Sequence, residues 1–348
     1  MDKHREHSQP EELHKRRFGE TRSIIHTKFK GRGVVAVGKT LYFSPKWKTF
    51  HDFLIDYLRF CFGMEWGAEE LKKPFSERHP VVQWYDALRE FHERHKADGA
   101  DIYSADATGP VMAYLSLAYD LYILQDHSLL QDRLVSRLRN KDQFQGARYE
   151  TYVAASFVRA GFDIDFEDEG DVARSHCEFS AVDKGTGRRF SVEAKSRHRP
   201  GFLGYAGTAQ SAEEIKLQVK QLLRKALKKE ANHTRVIFID INMPPQEGSV
   251  FEKGWFKDLG DQVLMVAGMG IKDKPTPPAY LFFTNHPVHY VGNEEPEPVP
   301  DFLITGINMP EFKKEPVNEG QAVQVLEPAI YKLWDSLKAH NRIPDSFD

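Results

Sequence analysis

Glu178-Phe-Ser-Ala-Val-Asp183-Lys-Gly-Thr-Gly187-Arg-Arg-Phe-Ser-Val-Glu193-Ala-Lys195 is the stretch that decides the fold. Cys177–Val182 and Arg189–Lys195 are rich in β-forming residues, and Asp183–Gly187 has the composition of a tight turn, so the segment predicts a hairpin. Glu193 and Lys195 are two apart on a strand and therefore share a face. Hairpin pairing carries Glu178 toward them.

Working outward, Phe162–Phe166 alternates apolar and acidic residues and predicts a preceding strand. Before it, Ala147–Ala160 predicts a helix that buries Tyr149, Val153, Ala154, Phe157 and Val158 and stops at Gly161. After the hairpin comes a Gly-rich loop, 200–207. Ser211 and Glu214 are spaced as a capping box for a helix running to about Lys229. The apolar run Val236–Ile241 suits a buried central strand. Trp255–Ala267 then predicts a helix and Tyr280–Thr284 a strand. Residues 293–300 are rich in Pro and Glu and predict a linker, with an amphipathic helix at Gln321–Ala339.

Upstream the pattern differs. Residues 1–22 are charged and expected to be flexible. Val34–Val37 and Leu41–Phe43 predict two short strands around Gly38-Lys39. Helical spacing follows in Phe50, Phe53, Leu54, Tyr57, Leu58 and Cys61, and in Val81, Trp84, Tyr85, Leu88 and Phe91. Met112–Leu124 and Leu129–Leu138 predict two more helices. The expected fold class is α/β, with a mostly helical domain at 1–140, a mixed core at 141–292 and a linker and helix at 293–348.

Composition excludes several classes. Of 348 residues 41% are hydrophobic and 28% charged, which fits a globular chain. Cys61 and Cys177 are the only cysteines, too few for a disulfide framework or a multi-cysteine zinc site. The N-terminus shows no secretory signal and no apolar run is long enough to span a bilayer, so a cytoplasmic protein without membrane contact is expected. Net charge is −3, so any polyanion argument must be local. Arg188–Arg235 holds twelve Lys and Arg against four Glu. Lys216, Lys220, Arg224 and Lys228 recur every four residues and predict one basic stripe on a helix, which with Arg197 and Arg199 suits phosphate contact.

Two carboxylates and an ammonium on one patch of sheet suit hydrolysis of a phosphodiester. Glu178 and Glu193 supply hard oxygen ligands of the kind Mg²⁺ or Mn²⁺ takes, and Lys195 is placed to steady water or developing charge. This constellation resembles the PD-(D/E)xK, or restriction-endonuclease-like, nuclease superfamily over about residues 141–242. Glu193 and Lys195 match its (D/E)xK element, with Glu178 in the place of its first acid. The resemblance implies a core of helix, three-stranded meander, helix and strand, and a Mg²⁺-dependent endonuclease acting on DNA, with restriction or anti-phage defence among its roles. It adds Glu150 as the acid of the first helix and Gln218 as a motif glutamine. A protein partner bound through the N-terminal domain and a homodimer also fit such an enzyme. The chain departs from the usual pattern in having Glu rather than Asp as the first acid, after His176-Cys177 rather than Pro.

Other signals compete. Asp171 rivals Glu178. Gly33–Thr40 fits the spelling of a nucleotide-binding P-loop, yet its apolar residues lie inside the supposed loop and Pro45 follows, so a hairpin reading is preferred. His176, His198, His286 and His289 are potential zinc ligands without a helical zinc motif. A nuclease-like core that binds nucleic acid or assembles without cutting is the alternative of a different class.

Overall fold

A computed structural model describes residues 12–96, 102–167, 177–210, 214–271, 274–312 and 326–347. Asp171, His176 and Ser211 lie outside the described residues, and with them the rival acid and the N-cap.

Residues 12–18 are helical, and a three-stranded antiparallel sheet follows, β1 (Ile25–Phe29), β2 (Arg32–Val37) and β3 (Thr40–Ser44). The Gly38-Lys39 turn joins β2 to β3 directly, with Val37 paired to Thr40. The P-loop spelling is therefore a hairpin: no helix opens after it, and the backbone is engaged in strand pairing. Gly38 sits at φ +58°, and an added Cβ would fall 2.6 Å from the Gln125 carbonyl oxygen, so the turn needs glycine.

Helices α1 (Phe50–Phe62), α2 (Met64–Leu71), α3 (Pro80–His95), α4 (Gly109–Asp126) and α5 (Asp132–Arg139) follow. Thr49 and Asp52 form a reciprocal capping box that starts α1. The α4 helix is apolar on nearly all sides because it is buried by neighbours all round, packing against α1, α3 and α6 (Lys141–Arg159).

The larger sheet runs β4 (Phe162–Phe166), β5 (Phe179–Asp183), β6 (Arg189–Ser196), β7 (Thr234–Asp240), β8 (Ala279–Asn285) and β9 (Asp301–Ile307) in spatial order. The first three form an antiparallel meander, β6–β7–β8 are parallel, and β9 returns antiparallel. Helix α7 (Val219–Leu227) crosses from β6 to β7, α8 (Gly254–Met269) from β7 to β8, and α9 (Pro328–Lys338) lies near the C-terminus. The protein is thus α/β, with one antiparallel and one mixed sheet.

Burial on both faces explains the unbroken apolar runs of β7 and β8. Val236, Phe238, Tyr280 and Phe282 face one core, and Ile237, Ile239, Leu281 and Phe283 face the other. Phe238 and Phe282 stack at 4.6 Å between centroids. Phe157 of α6 meets the edges of Phe162, Phe179 and Phe238, and its truncation to Ala would cost about 3–5 kcal/mol.

Three expectations change. Residue 140 is not a break in the core: one apolar cluster runs from Val35 through the helices, α6 and one sheet face to Leu337. The region after 293 is not simply linker and helix, because Asp301–Ile307 is a sheet strand. The segment just before β1 is anchored rather than loose: the Phe18 carbonyl accepts from Arg159, and Glu20 N donates to the Arg159 carbonyl.

Candidate active site

The β5–β6 register pairs Phe179 with Val192, and Glu178 N donates to the Val192 carbonyl at 2.9 Å. Continued by one residue, that register sets Glu178 beside Glu193. Alternation then decides the side. Phe190, Val192 and Ala194 enter the core under α6, so Ser191, Glu193 and Lys195 take the opposite face, toward α7.

On that face Lys195 Nζ lies 3.1 Å from Glu178 Oε1 and contacts Glu193 Oε1. A second cation, Lys229, arrives from just beyond α7, with its Nζ 3.4 Å from Glu193 Oε1 and 3.7 Å from Glu178 Oε1. Its backbone is held there: Lys229 N donates to the Ala226 carbonyl and Arg235 donates to the Lys229 carbonyl.

Glu193 is 1% exposed, and its carboxylate is paired with the ammonium groups of Lys195 and Lys229. Burial, opposed by Lys195 and reinforced by Glu178, pushes its pKa up to about 7. Burial works against charge on Lys195, but Glu193 and Glu178 outweigh it and hold its pKa above the ordinary lysine value. Burial also raises Glu150, against the pull of Arg137 and with Glu178 adding to the rise.

Glu150 approaches from α6. Arg137 of α5 grips it through two parallel hydrogen bonds of 2.5 and 2.6 Å, a geometry that fixes the carboxylate plane. A cavity of about 30 Å³ beside Glu150 and Glu178 is also lined by Arg133 and Arg137. It has room for about one water.

The other site candidates are dispersed. Gln218 is not on the helix, which starts one residue later. It stands exposed at φ +51° and accepts from Arg197 Nη2. Lys216 also precedes the helix, so the four-residue basic stripe is interrupted at its start. Lys220 Nζ lies 2.8 Å from Met265 Sδ, and Arg224 is partly buried. Arg199 is a correction of a different kind. It is 3% exposed and donates to the carbonyls of Asn242, Lys216 and Ile241, which leaves it buttressing backbone rather than facing a polyanion.

His286 is buried against Tyr152, the half-buried His289 hydrogen-bonds with Asn242, and His198 packs on Tyr205. Among the described residues no group of three His, Cys, Asp or Glu is arranged to hold a metal ion. Burial pushes the Cys177 thiol up to about 12, with Glu193 adding to the rise, so it carries no nucleophilic thiolate.

Sequence reasoning missed Arg137 and Lys229 as members of this cluster. Both were visible only as one helix residue and one charge in a basic run. Asp240 was likewise passed over. It is buried at the end of β7 and held by Ser196 at 3.0 Å and Arg148 at 3.5 Å, which links the lysine strand to α6.

Among the described residues no helix is long and apolar enough to cross a membrane. Comparison with protein-family models, with curated proteins and with solved structures found no match.

Proposed function

We propose that this protein is a metal-dependent phosphodiesterase that cuts DNA, with a core of the restriction-endonuclease-like kind. The observation that carries the reading is the convergence of Glu178, Glu193 and Lys195 on one face of a hairpin, with the Glu193 carboxylate buried against two ammonium groups. Lys195 and Lys229 compensate the buried charge in this structure, at a place where a divalent ion would do the same. The two acids fit Mg²⁺ or Mn²⁺, which commonly takes one or two protein carboxylates and otherwise water and phosphate oxygens. Glu178 and Glu193 would hold it, and when bound it would supply Lewis-acid activation of water and charge neutralisation.

The chain's own groups divide the remaining work. Lys195 stays an ammonium, because its acid neighbours stabilise that form. It is therefore assigned to charge stabilisation on the phosphoryl oxygens rather than to proton abstraction. Glu150, its plane set by Arg137, borders the small cavity and is placed to accept a hydrogen bond from a water there. Arg133 and Arg137 place positive charge on the same side, where a phosphate would approach.

The direct test is nicking of supercoiled plasmid by purified protein with Mg²⁺, Mn²⁺ or chelator. Glu193→Ala and Lys195→Ala serve as controls against a contaminating nuclease. Cleavage by the wild type that requires metal and is absent from both variants supports the reading. Equal cleavage by all three proteins rejects it.

A further inference from the structure

Residues 21–50 contain Arg22, Lys28, Lys30, Arg32, Lys39, Lys46 and Lys48 and no Asp or Glu. In a chain of net charge −3 this is a local field of one sign. Arg22 is engaged with Asp126, and the other cations lie on or around β1–β3.

Strand alternation divides this small sheet into two faces. Val35 and Val37 turn inward and are fully buried. The register sets Ile25 beside Ala36 and Leu41, and Thr27 beside Val34 and Phe43, with Phe29 opposite Arg32. These residues make the outer face, where Ile25, Phe29, Leu41 and Phe43 are 61–65% exposed. Lys30 lies over the Phe29 ring at 5.3 Å and Arg32 over the Phe43 ring at 5.9 Å. An apolar patch alone would fit many partners. Cations around two exposed phenyl rings, drawn from a stretch of sequence without acids, narrow the choice, because they suit a ligand with apolar faces on an anionic backbone.

We propose that the outer face of the β1–β3 sheet binds single-stranded nucleic acid. Unpaired bases stack on Phe29 and Phe43, and the phosphates lie among Lys30, Arg32 and Lys39. A duplex offers the phosphates but no free base face for the rings. The surface shares no residue with the Glu193 cluster, so it stands apart from the cleavage reading. If both hold, it gives the substrate class a single-stranded element.

The test is fluorescence anisotropy with labelled oligothymidine and a labelled duplex, in chelator so that nothing is cut. The wild type is expected to favour the single strand. Phe29→Ala combined with Phe43→Ala should weaken that binding at least about 30-fold, from the loss of two stacking platforms. Both side chains are mostly exposed, so thermal melting should be unchanged. Binding is read in chelator, where nothing is cut, and the Phe variants leave the Glu193 cluster intact, which separates this surface from the plasmid-nicking result. Lys30→Gln with Arg32→Gln should flatten the dependence of affinity on salt. The proposal is overturned if the double Phe variant binds oligothymidine like the wild type, or if duplex binds equally well. It is also overturned if light scattering shows a dimer that this variant converts to monomer, since the face then meets a second copy.

Discussion

Lys229 and Lys195 approach the same Glu193 oxygen from two different elements, with Lys229 Nζ at 3.4 Å. In the metal-free protein Lys229 therefore contributes positive charge at the place where a divalent ion would bind. Lys229→Ala should strengthen Mn²⁺ binding by at least about 10-fold, since a unit charge about 4 Å away is worth between about 1 kcal/mol in water and about 4 kcal/mol near a protein surface. Isothermal titration calorimetry reads this directly. Weaker binding in the variant would show that Lys229 assists the ion rather than competing with it.

Glu193→Ala and Lys195→Ala should each reduce metal-dependent cleavage by about 100- to 1,000-fold or more, as removal of one preorganised charged group typically does. Glu193→Ala should change stability little, because burying the carboxylate charge offsets what its two ammonium partners contribute, as its raised pKa reflects. A collapse in melting temperature would instead mean that the carboxylate holds the hairpin together.

Metal binding should depend on pH near neutrality. Glu193 titrates at about 7 in the metal-free protein, and a metal ligand must be ionised. Below that pH the proton occupies the site and apparent affinity should fall by up to about 10-fold per pH unit. Above it the dependence should level off. A Mn²⁺ titration that is flat between pH 5.5 and 8 would remove Glu193 from the ligand set.

Arg199 and Arg197 should separate cleanly. Arg199→Ala leaves three backbone carbonyls without their donor and should cost about 2–4 kcal/mol in chemical denaturation. Arg199→Lys should recover little, since an ammonium does not reproduce the planar fork. Arg197→Ala should change stability by less than about 1 kcal/mol. Equal effects of the two Ala variants would contradict the burial of Arg199.

Acid should destabilise the fold. Burial pushes His79 and His286 down to about 3, against an ordinary value of 6.5. The unfolded chain therefore takes up protons first as pH falls, and stability is lost from about pH 6.5 toward 3. Each histidine contributes at most about 1.4 kcal/mol per pH unit in that window. His79→Asn should flatten the fall in melting temperature between pH 7 and 5. An unchanged slope would assign acid lability elsewhere.

The hairpin was legible because strand period and turn composition act locally. Glu193 and Lys195 share a face through backbone geometry alone, and the register that brings in Glu178 follows from the length of the turn. The parallel strands could be read from their continuous apolar runs. Long-range packing was not legible. Lys229 is one cation in a basic run until α7 folds back over β6, and Arg137 meets Glu150 only because two successive helices pack side by side. Arg199 was misread because its sequence neighbours are polar, whereas its guanidinium is drawn inward by carbonyls from other segments. Helix α7 starts late because Ile215 and Leu217 bury their side chains in a non-helical approach to it, so spacing by four overstated the stripe. Strand β9 was hidden by the Pro- and Glu-rich approach before it.

Arg159 is 1% exposed and donates to the carbonyls of Phe18, Ala339, His340 and Arg342. One guanidinium at the end of α6 thus staples segments separated by more than three hundred positions. A fragment cut to 141–292 would strand that cation in an apolar wall and strip away the helices that cover it. The Glu178–Lys195 hairpin is therefore not a portable module. Grafting it onto another protein, or expressing it alone, would require rebuilding both of its flanks.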